Sequence, residues 1–219
     1  MNRMTEALLA GIITGLFNVG VMAFKGMNPF DMLAVLLQYI LGGFAVFFVP
    51  INLPGWLKGL VVAGICAVPI VIFISLRAPS GSLLTGLILF GVSGTLGGIY
   101  AARSGKNIGV LFPKSVVKAV AAGLAAGSFH AFVVLLKGAG PEVAIAALIQ
   151  YIIAANLIFH VPFRADGWLK GLIIGCLCAV PLLIVILRYE PTGSLVSGIV
   201  ISGIMGSLAG AYWSRQEKK

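Results

Sequence analysis

The sequence predicts an all-α polytopic membrane protein of about eight transmembrane helices, built as two parallel tandem four-helix repeats. Of its 219 residues, 60% are hydrophobic and only 10% are charged, whereas a soluble domain usually carries about 25% charged residues. Most of the surface must therefore face lipid rather than water. When the chain is shifted by 112 residues it aligns on itself without a gap, and 41 of 107 residue pairs are identical.

The internal repeat is visible as matching runs of sequence. These runs include Gln-Tyr-Ile at 38–40 and 150–152, Gly-Trp-Leu-Lys-Gly-Leu at 55–60 and 167–172, and Cys-Ala-Val-Pro at 66–69 and 178–181. Chance does not produce such ungapped identity, so we interpret the chain as a duplicated and fused four-helix unit. The first repeat is expected to span 1–107, with a cytoplasmic linker at 104–114, and the second repeat to span 113–219.

Eight segments are apolar and long enough to cross a bilayer, which takes about 20 residues in a helix. Pro, Gly, Asn and Asp residues occupy several of the breaks between them, as expected of turns. The first segment is long enough to span, so we interpret it as an uncleaved helix rather than a cleavable signal peptide. The predicted spans are 4–24, 31–50, 57–76, 83–102, 116–136, 143–161, 169–187 and 195–213.

The basic residues predict the orientation of the segments. Eleven of the fifteen Lys and Arg residues lie at one set of segment ends, and four lie at the other set, namely Lys25, Arg77, Lys137 and Arg188. The positive-inside rule then places both termini and the linker in the cytoplasm, in a multi-pass protein of the cell inner (plasma) membrane. Because each repeat has an even number of helices, both repeats are expected to insert the same way up.

Small residues recur at every fourth position of several segments, which stacks them on one helix face. Examples are Gly167, Gly171 and Gly175 in the seventh segment and Ser202, Gly206 and Gly210 in the eighth. Lipid provides no hydrophobic drive between helices, so close packing at such faces must hold the helices together. We expect internal packing of the bundle, with a homodimer seam as the alternative, because the same chemistry serves both uses.

Uncharged polar residues and prolines fall at one depth in both repeats, about 10–12 Å from the predicted outer ends at 1.5 Å per residue. They form three pairs: Asn18 with His130, Gln38 with Gln150, and Pro69 with Pro181. Each proline leaves the carbonyl four residues earlier without its helical donor, at Ile65 and Leu177. One interpretation is a quasi-symmetric polar site in the outer half of the membrane. The interpretation that we favour is interhelical hydrogen bonding with two helix kinks and no ligand.

No pattern of residues indicates an enzyme, a metal site or a cofactor. All six acidic residues fall at or beyond segment ends, so no carboxylate is placed at mid-membrane to relay protons or bind sodium. His130 and His160 are separated by about 17 Å along the membrane normal, too far to ligate one haem iron. The three cysteines form no metal or redox motif, and no hydrolase, phosphate-loop, metalloprotease or dinucleotide motif is present.

Four short motifs carry a resemblance to a known group of proteins. They are Ala7-x-x-x-Gly11, Met27-Asn28-Pro29-x-Asp31-Met32, Gly55-Trp56-Leu57 and a glycine-rich fourth segment. Through these motifs each repeat resembles small four-helix integral-membrane proteins of bacteria and archaea, a family of unknown function. The resemblance implies a fold and no activity. Family members often carry a histidine two residues after the Gly-Trp pair, where Lys58 and Lys170 stand in this chain.

Two classes of function are compatible with these features. The first is a structural or accessory subunit of a membrane complex, with lipids, other membrane subunits or a second copy of the chain as partners. The alternative is a channel or facilitative carrier for a small neutral or lipophilic solute, using the polar residues named above. The net charge of +9 is explained by orientation and by anionic lipid, and no basic face or aromatic platform indicates nucleic acid.

Overall fold

The computed structural model is all-α within the residues that it describes, which are 2–75, 81–102, 112–136, 138, 140–187 and 193–217; side chains are described for 2–72, 88–102, 112–136, 138, 140–186 and 196–215. Most of the predicted linker at 104–114 lies outside these residues. The helices are α1 (Arg3–Phe24), α2 (Pro29–Phe48), α3 (Gly55–Ser75), α4 (Gly81–Ala102), α5 (Lys114–Leu136), α6 (Pro141–His160), α7 (Gly167–Leu187) and α8 (Gly193–Glu217).

Over the residues that the structure describes, seven of these helices are long and apolar enough to cross a membrane, and the chain is a polytopic membrane protein. Among the residues with described side chains, α4 contributes a shorter apolar stretch, Ile88–Ala102. Large apolar side chains remain on the outer faces of the helices; Phe17 is 63% exposed and Phe24 is 96% exposed. Such exposure would be unfavourable in water but is ordinary against lipid tails, which are as apolar as the side chains.

The chain forms two compact units, Met1–Pro113 and Lys114–Lys219. In the first unit α1 packs mainly against α2 and α3 against α4, while α2 also contacts α3 and α4. In the second unit α5 packs against α6 and α7 against α8, while α6 also contacts α7 and α8. The central helices α2 and α6 therefore bury more residues than α1 and α5.

Local sequence determines where α1 and α2 begin and end. Asn2 and Asn28 cap these helices by accepting hydrogen bonds from backbone N–H groups two residues later, at 3.2 and 2.9 Å, which satisfies donors that the first turn leaves unpaired. Pro29 occupies the first turn of α2, where its missing N–H does no harm. Gly26 terminates α1 with a φ of +66°, a left-handed conformation that glycine adopts without strain.

α2 and α6 end one or two residues earlier than the sequence predicted. The residues that follow them, Val49 and Val161, have extended backbones with ψ of 119° and 125°. Each precedes a proline, Pro50 or Pro162, whose ring clashes with a helical conformation of the residue before it. Most helices also begin about two residues before their predicted starts, because capping and first-turn residues are less apolar than the spans that they initiate.

Glycines bring the backbones of neighbouring helices into contact. A Cβ added at Gly59 in α3 would lie 1.8 Å from the carbonyl oxygen of Gly94 and 2.8 Å from Cα of Gly98, both in α4. In the second unit, a Cβ added at Gly171 in α7 would lie 1.9 Å from the carbonyl oxygen of Gly206 in α8. Only glycine permits this approach, so these small-residue faces pack helices within each unit.

Candidate functional site

A small cavity lies inside the first unit, where α1, α2, α3 and α4 meet. Its volume is about 30 Å³, and most of its lining is apolar or made of small residues. The polar side chains in the lining are Thr14 of α1, Gln38 and Tyr39 of α2, and Ser93 of α4. Uncharged polar groups from three helices converge at this cavity.

Gln38 is the most buried polar residue of this cavity, with an exposed fraction of 0%. Its Nε2 donates a hydrogen bond to the carbonyl oxygen of Cys66 in α3. Among the described residues, no donor reaches its Oε1, although buried polar atoms almost always have a partner. The side chain therefore ties α2 to α3 through its nitrogen and presents its oxygen as an acceptor to the cavity.

The carbonyl that Gln38 reaches is not the one that the sequence analysis singled out. Pro69 lacks the N–H that would bond the carbonyl of Ile65. The Ile65 side chain is 45% exposed on the outer face of α3, whereas Cys66 is 2% exposed and its Cβ lies 3.7 Å from the Cβ position of Gly42 in α2. Because successive helix residues point about 100° apart, the face that carries Cys66 is the one within reach of α2.

Tyr39 and Ser93 form the other polar part of the lining. The Tyr39 ring stacks on Phe90 of α4, with centroids 4.0 Å apart and planes inclined by 9°. Asn18 of α1 donates from Nδ2 to Ser93 Oγ at 3.2 Å and to the carbonyl oxygen of Thr14 at 2.8 Å. The Tyr39 hydroxyl faces Ser93, yet it makes no hydrogen bond of normal geometry within the described part of the chain.

The second unit contains an equivalent cavity, with a volume of about 20 Å³. Of the fourteen residues that line the first cavity, thirteen have their counterpart 112 positions later in the lining of the second. Gln150 takes the place of Gln38 and is 5% exposed. Its Nε2 donates to the carbonyl oxygen of Cys178 in α7, and its Oε1 has no donor among the residues that the structure describes.

The tyrosine of the second unit, unlike that of the first, is hydrogen-bonded by other side chains. Tyr151 Oη lies 3.2 Å from Nδ1 of His130 and 3.1 Å from Oγ of Ser202. His130 stands where the first unit has Asn18, and Ser202 stands where it has Phe90. These two replacements connect α5, α6 and α8 through a single hydroxyl.

The residues that the sequence analysis selected are thus distributed in two sets, one in each unit. The two glutamines line the cavities. Asn18 and His130 each lie one hydrogen bond away from a lining residue. Pro69 and Pro181 are fully buried within α3 and α7, but they line neither cavity.

Five polar residues at the cavities were missed by sequence reasoning: Thr14, Tyr39, Ser93, Tyr151 and Ser202. A signal existed for the tyrosines, because each directly follows a glutamine in the repeated Gln-Tyr-Ile run. No such signal existed for the serines, since they occupy different positions in the two repeats; Met205, for example, stands where the first unit has Ser93. Only the three-dimensional contacts reveal that both serines face the tyrosine of their unit.

The arrangement offers hydrogen bonds from amides and hydroxyls, without a charged group in either cavity lining. Within the described ranges, no group of three or more His, Cys, Asp or Glu residues is placed to hold a metal ion. The chain matches no protein-family model, no curated protein and no solved structure. The helices show that the chain is an all-α, multi-pass integral membrane protein.

Proposed function

We propose that the protein is a structural or accessory subunit of a membrane complex, without catalytic activity of its own. The observation that carries this proposal is the small size of the two equivalent cavities that the described residues form. Their cavities measure about 30 and 20 Å³, whereas pockets for organic ligands measure roughly 300–1,000 Å³. Neither cavity has room for a solute much larger than water.

The outer faces of α1 and α5 support the same role. Phe17 and Phe129 occupy equivalent positions in the two repeats and are 63% and 53% exposed. A large apolar side chain on such a face contacts acyl chains or a helix of another membrane protein, and the two environments are similarly apolar. These faces therefore suit docking of a partner helix without any change in the bundle.

The proposal also includes the origin of the chain by duplication and its orientation in the membrane. Gene duplication is supported by the ungapped identity of the repeats, and the bounds of α1–α3 recur 112 residues later in α5–α7 to within one residue. A four-helix repeat of this kind agrees with the resemblance to the small membrane-protein family. The concentration of eleven basic residues at one set of helix ends supports cytoplasmic termini in the inner (plasma) membrane.

Site-specific photocrosslinking tests the accessory role. Benzoylphenylalanine is introduced at position 17 or 129 of the tagged full chain, and native membranes are irradiated before extraction into lipid nanodiscs. Phe47, which is 1% exposed, provides the buried control position. We expect a single protein partner, crosslinked from at least one exposed position and recovered at constant stoichiometry, and no partner from position 47.

The other outcomes separate the remaining interpretations. Crosslinks to a second copy of the chain would indicate a homodimer instead of a larger complex. Lipid adducts alone from both exposed positions, together with recovery of the chain as a monomer, would contradict the accessory role.

A channel or carrier for a small neutral solute is the second candidate, favoured by one observation. Both units place a glutamine oxygen without a described donor in an equivalent cavity. In the double variant Gln38→Leu/Gln150→Leu, a carrier would lose solute flux in liposomes even where folding is retained. A bundle that keeps full function and loses only stability would leave the glutamines as interhelical links.

A further inference from the structure

The two cavities differ in which polar atoms of their lining side chains lack a hydrogen bond. In the first unit, Gln38 Oε1 can accept a hydrogen bond and the Tyr39 hydroxyl can donate one. Neither atom makes a hydrogen bond of normal geometry with the residues described, although Ser93 lies near the Tyr39 hydroxyl. Both residues are at least 95% buried, and both line the same cavity. One small molecule that donates to the amide oxygen and accepts from the hydroxyl would satisfy both atoms.

The size and chemistry of the first cavity match a water molecule. A buried water needs at least about 10–15 Å³ and two to four polar partners. The cavity provides about 30 Å³, and the Ser93 and Thr14 side chains line it together with Gln38 and Tyr39. Water both donates and accepts hydrogen bonds, as this pair of partners requires.

The second cavity lacks this combination. The Tyr151 hydroxyl already interacts with His130 and Ser202, so Gln150 Oε1 is the one lining atom there without a partner among the described side chains. The remaining positions are also less polar, since Ala126 and Met205 stand where the first unit has a threonine and a serine. The volume of about 20 Å³ would still admit a water, but a single unsatisfied acceptor falls short of the two to four polar partners that a buried water needs.

We propose that the first unit binds a structural water between Gln38 Oε1 and Tyr39 Oη, and that the equivalent cavity of the second unit is dry. In the second unit Ser202 joins α8 directly to the tyrosine of α6. In the first unit Phe90 stands at that position and offers only its ring, so the water supplies the missing hydrogen-bond partner. The proposed water site does not depend on the proposed role as an accessory subunit.

The sequence contains three glutamines, Gln38, Gln150 and Gln216, which makes a direct measurement feasible. The full chain is made by cell-free synthesis with glutamine labelled with ¹⁵N at the side-chain amide, and is reconstituted in lipid bilayers. The variants Gln216→Asn and Gln150→Met assign the three signals. Transfer of magnetisation from water to each amide is then followed by solid-state NMR at short mixing times.

The expected result is rapid transfer to the Gln38 amide and slow transfer to the Gln150 amide. Both side chains are almost inaccessible from outside, with exposed fractions of 0% and 5%, so contact with bulk water does not explain a difference in this direction. Slow transfer to both amides would show that the first cavity is dry. Equally rapid transfer to both would overturn the difference between the units.

Paired tyrosine variants provide a second readout. Tyr39→Phe removes one of the two atoms that hold the water, so transfer to Gln38 should slow and the unfolding midpoint should fall. In a dry cavity the same variant would instead raise the midpoint, because it removes a buried hydroxyl that has no partner. Tyr151→Phe is the matched control and should leave transfer to Gln38 unchanged.

A cavity-filling variant tests the site without removing a polar group. Gly42 and Gly97 line the first cavity, and alanines, Ala154 and Ala209, stand at the equivalent lining positions of the second. A Cβ at Gly42 meets its nearest neighbour at 3.7 Å, and one at Gly97 meets nothing within 4 Å. The double variant Gly42→Ala/Gly97→Ala should therefore fold and should abolish rapid transfer to Gln38. Persistent rapid transfer would refute a water in this cavity.

Discussion

Replacing Gly59 by alanine should force α3 and α4 apart. The new Cβ would lie 1.8 Å from the carbonyl oxygen of Gly94, while ordinary contacts begin near 3.4 Å, so the backbones must separate by about 1.6 Å. The atom in the way is a backbone oxygen, which cannot move aside by rotation as a side chain can. Overpacking of this kind typically destabilises by about 1–3 kcal/mol, which lowers the ratio of folded to unfolded protein roughly 5- to 150-fold.

The assay is reversible unfolding of the full chain by titration with SDS in mixed micelles, followed by helix content. Gly64→Ala is the control, because Gly64 belongs to the same helix and a Cβ there meets nothing within 4 Å. Alanine is the better helix former of the two residues, so the control should keep or slightly raise stability. Equal unfolding free energies for the two variants, within about 0.5 kcal/mol, would refute the close approach of α3 and α4.

Three further substitutions test contacts elsewhere in the chain, with the same unfolding assay. Gly171→Ala should destabilise by about 1–3 kcal/mol, because its Cβ would lie 1.9 Å from a backbone oxygen of α8; an unchanged midpoint would contradict that packing. Tyr151→Phe should lower the unfolding free energy by about 1–2 kcal/mol, since His130 and Ser202 both lose a partner. Replacing Ser202 by alanine in the same variant should then lower the unfolding free energy little further. Arg3→Gln removes a charged 2.8 Å hydrogen bond from the guanidinium to a backbone carbonyl at the end of α2 and the contact of the guanidinium with the Phe48 ring. The unfolding free energy should therefore fall by about 1.5–3 kcal/mol, and an unchanged midpoint would contradict these contacts.

Hydrophobic length and breaks in the chain were sufficient to predict the all-α membrane fold. Runs of about 20 apolar residues have one satisfactory conformation in lipid, because every backbone polar group must be bonded within its own segment. The ends of helices were harder to predict from hydropathy. Val49 is as apolar as the residues before it, and only its position before Pro50 takes it out of the helix.

The candidate site was predictable in part. Gln38 and Gln150 were selected because they recur in both repeats at the same predicted depth in the membrane, and both line cavities. Their partners depend on which face of α3 or α7 is turned inward, a matter of a 100° rotation per residue that sequence spacing alone does not resolve. The serines were beyond prediction because Ser93 and Ser202 face their tyrosines from positions that do not correspond in the two repeats.

The pairing of each helix with its neighbour along the chain bears on how the protein enters the membrane. The most extensive contacts join α1 to α2, α3 to α4, α5 to α6 and α7 to α8, and α1 and α2 are separated by only four residues, 25–28. Each helical hairpin can therefore assemble as soon as its second helix leaves the ribosome, before any later part of the chain exists. A hairpin formed later can then pack against one already in place, and the Gln38 bond from α2 to α3 links the first two hairpins.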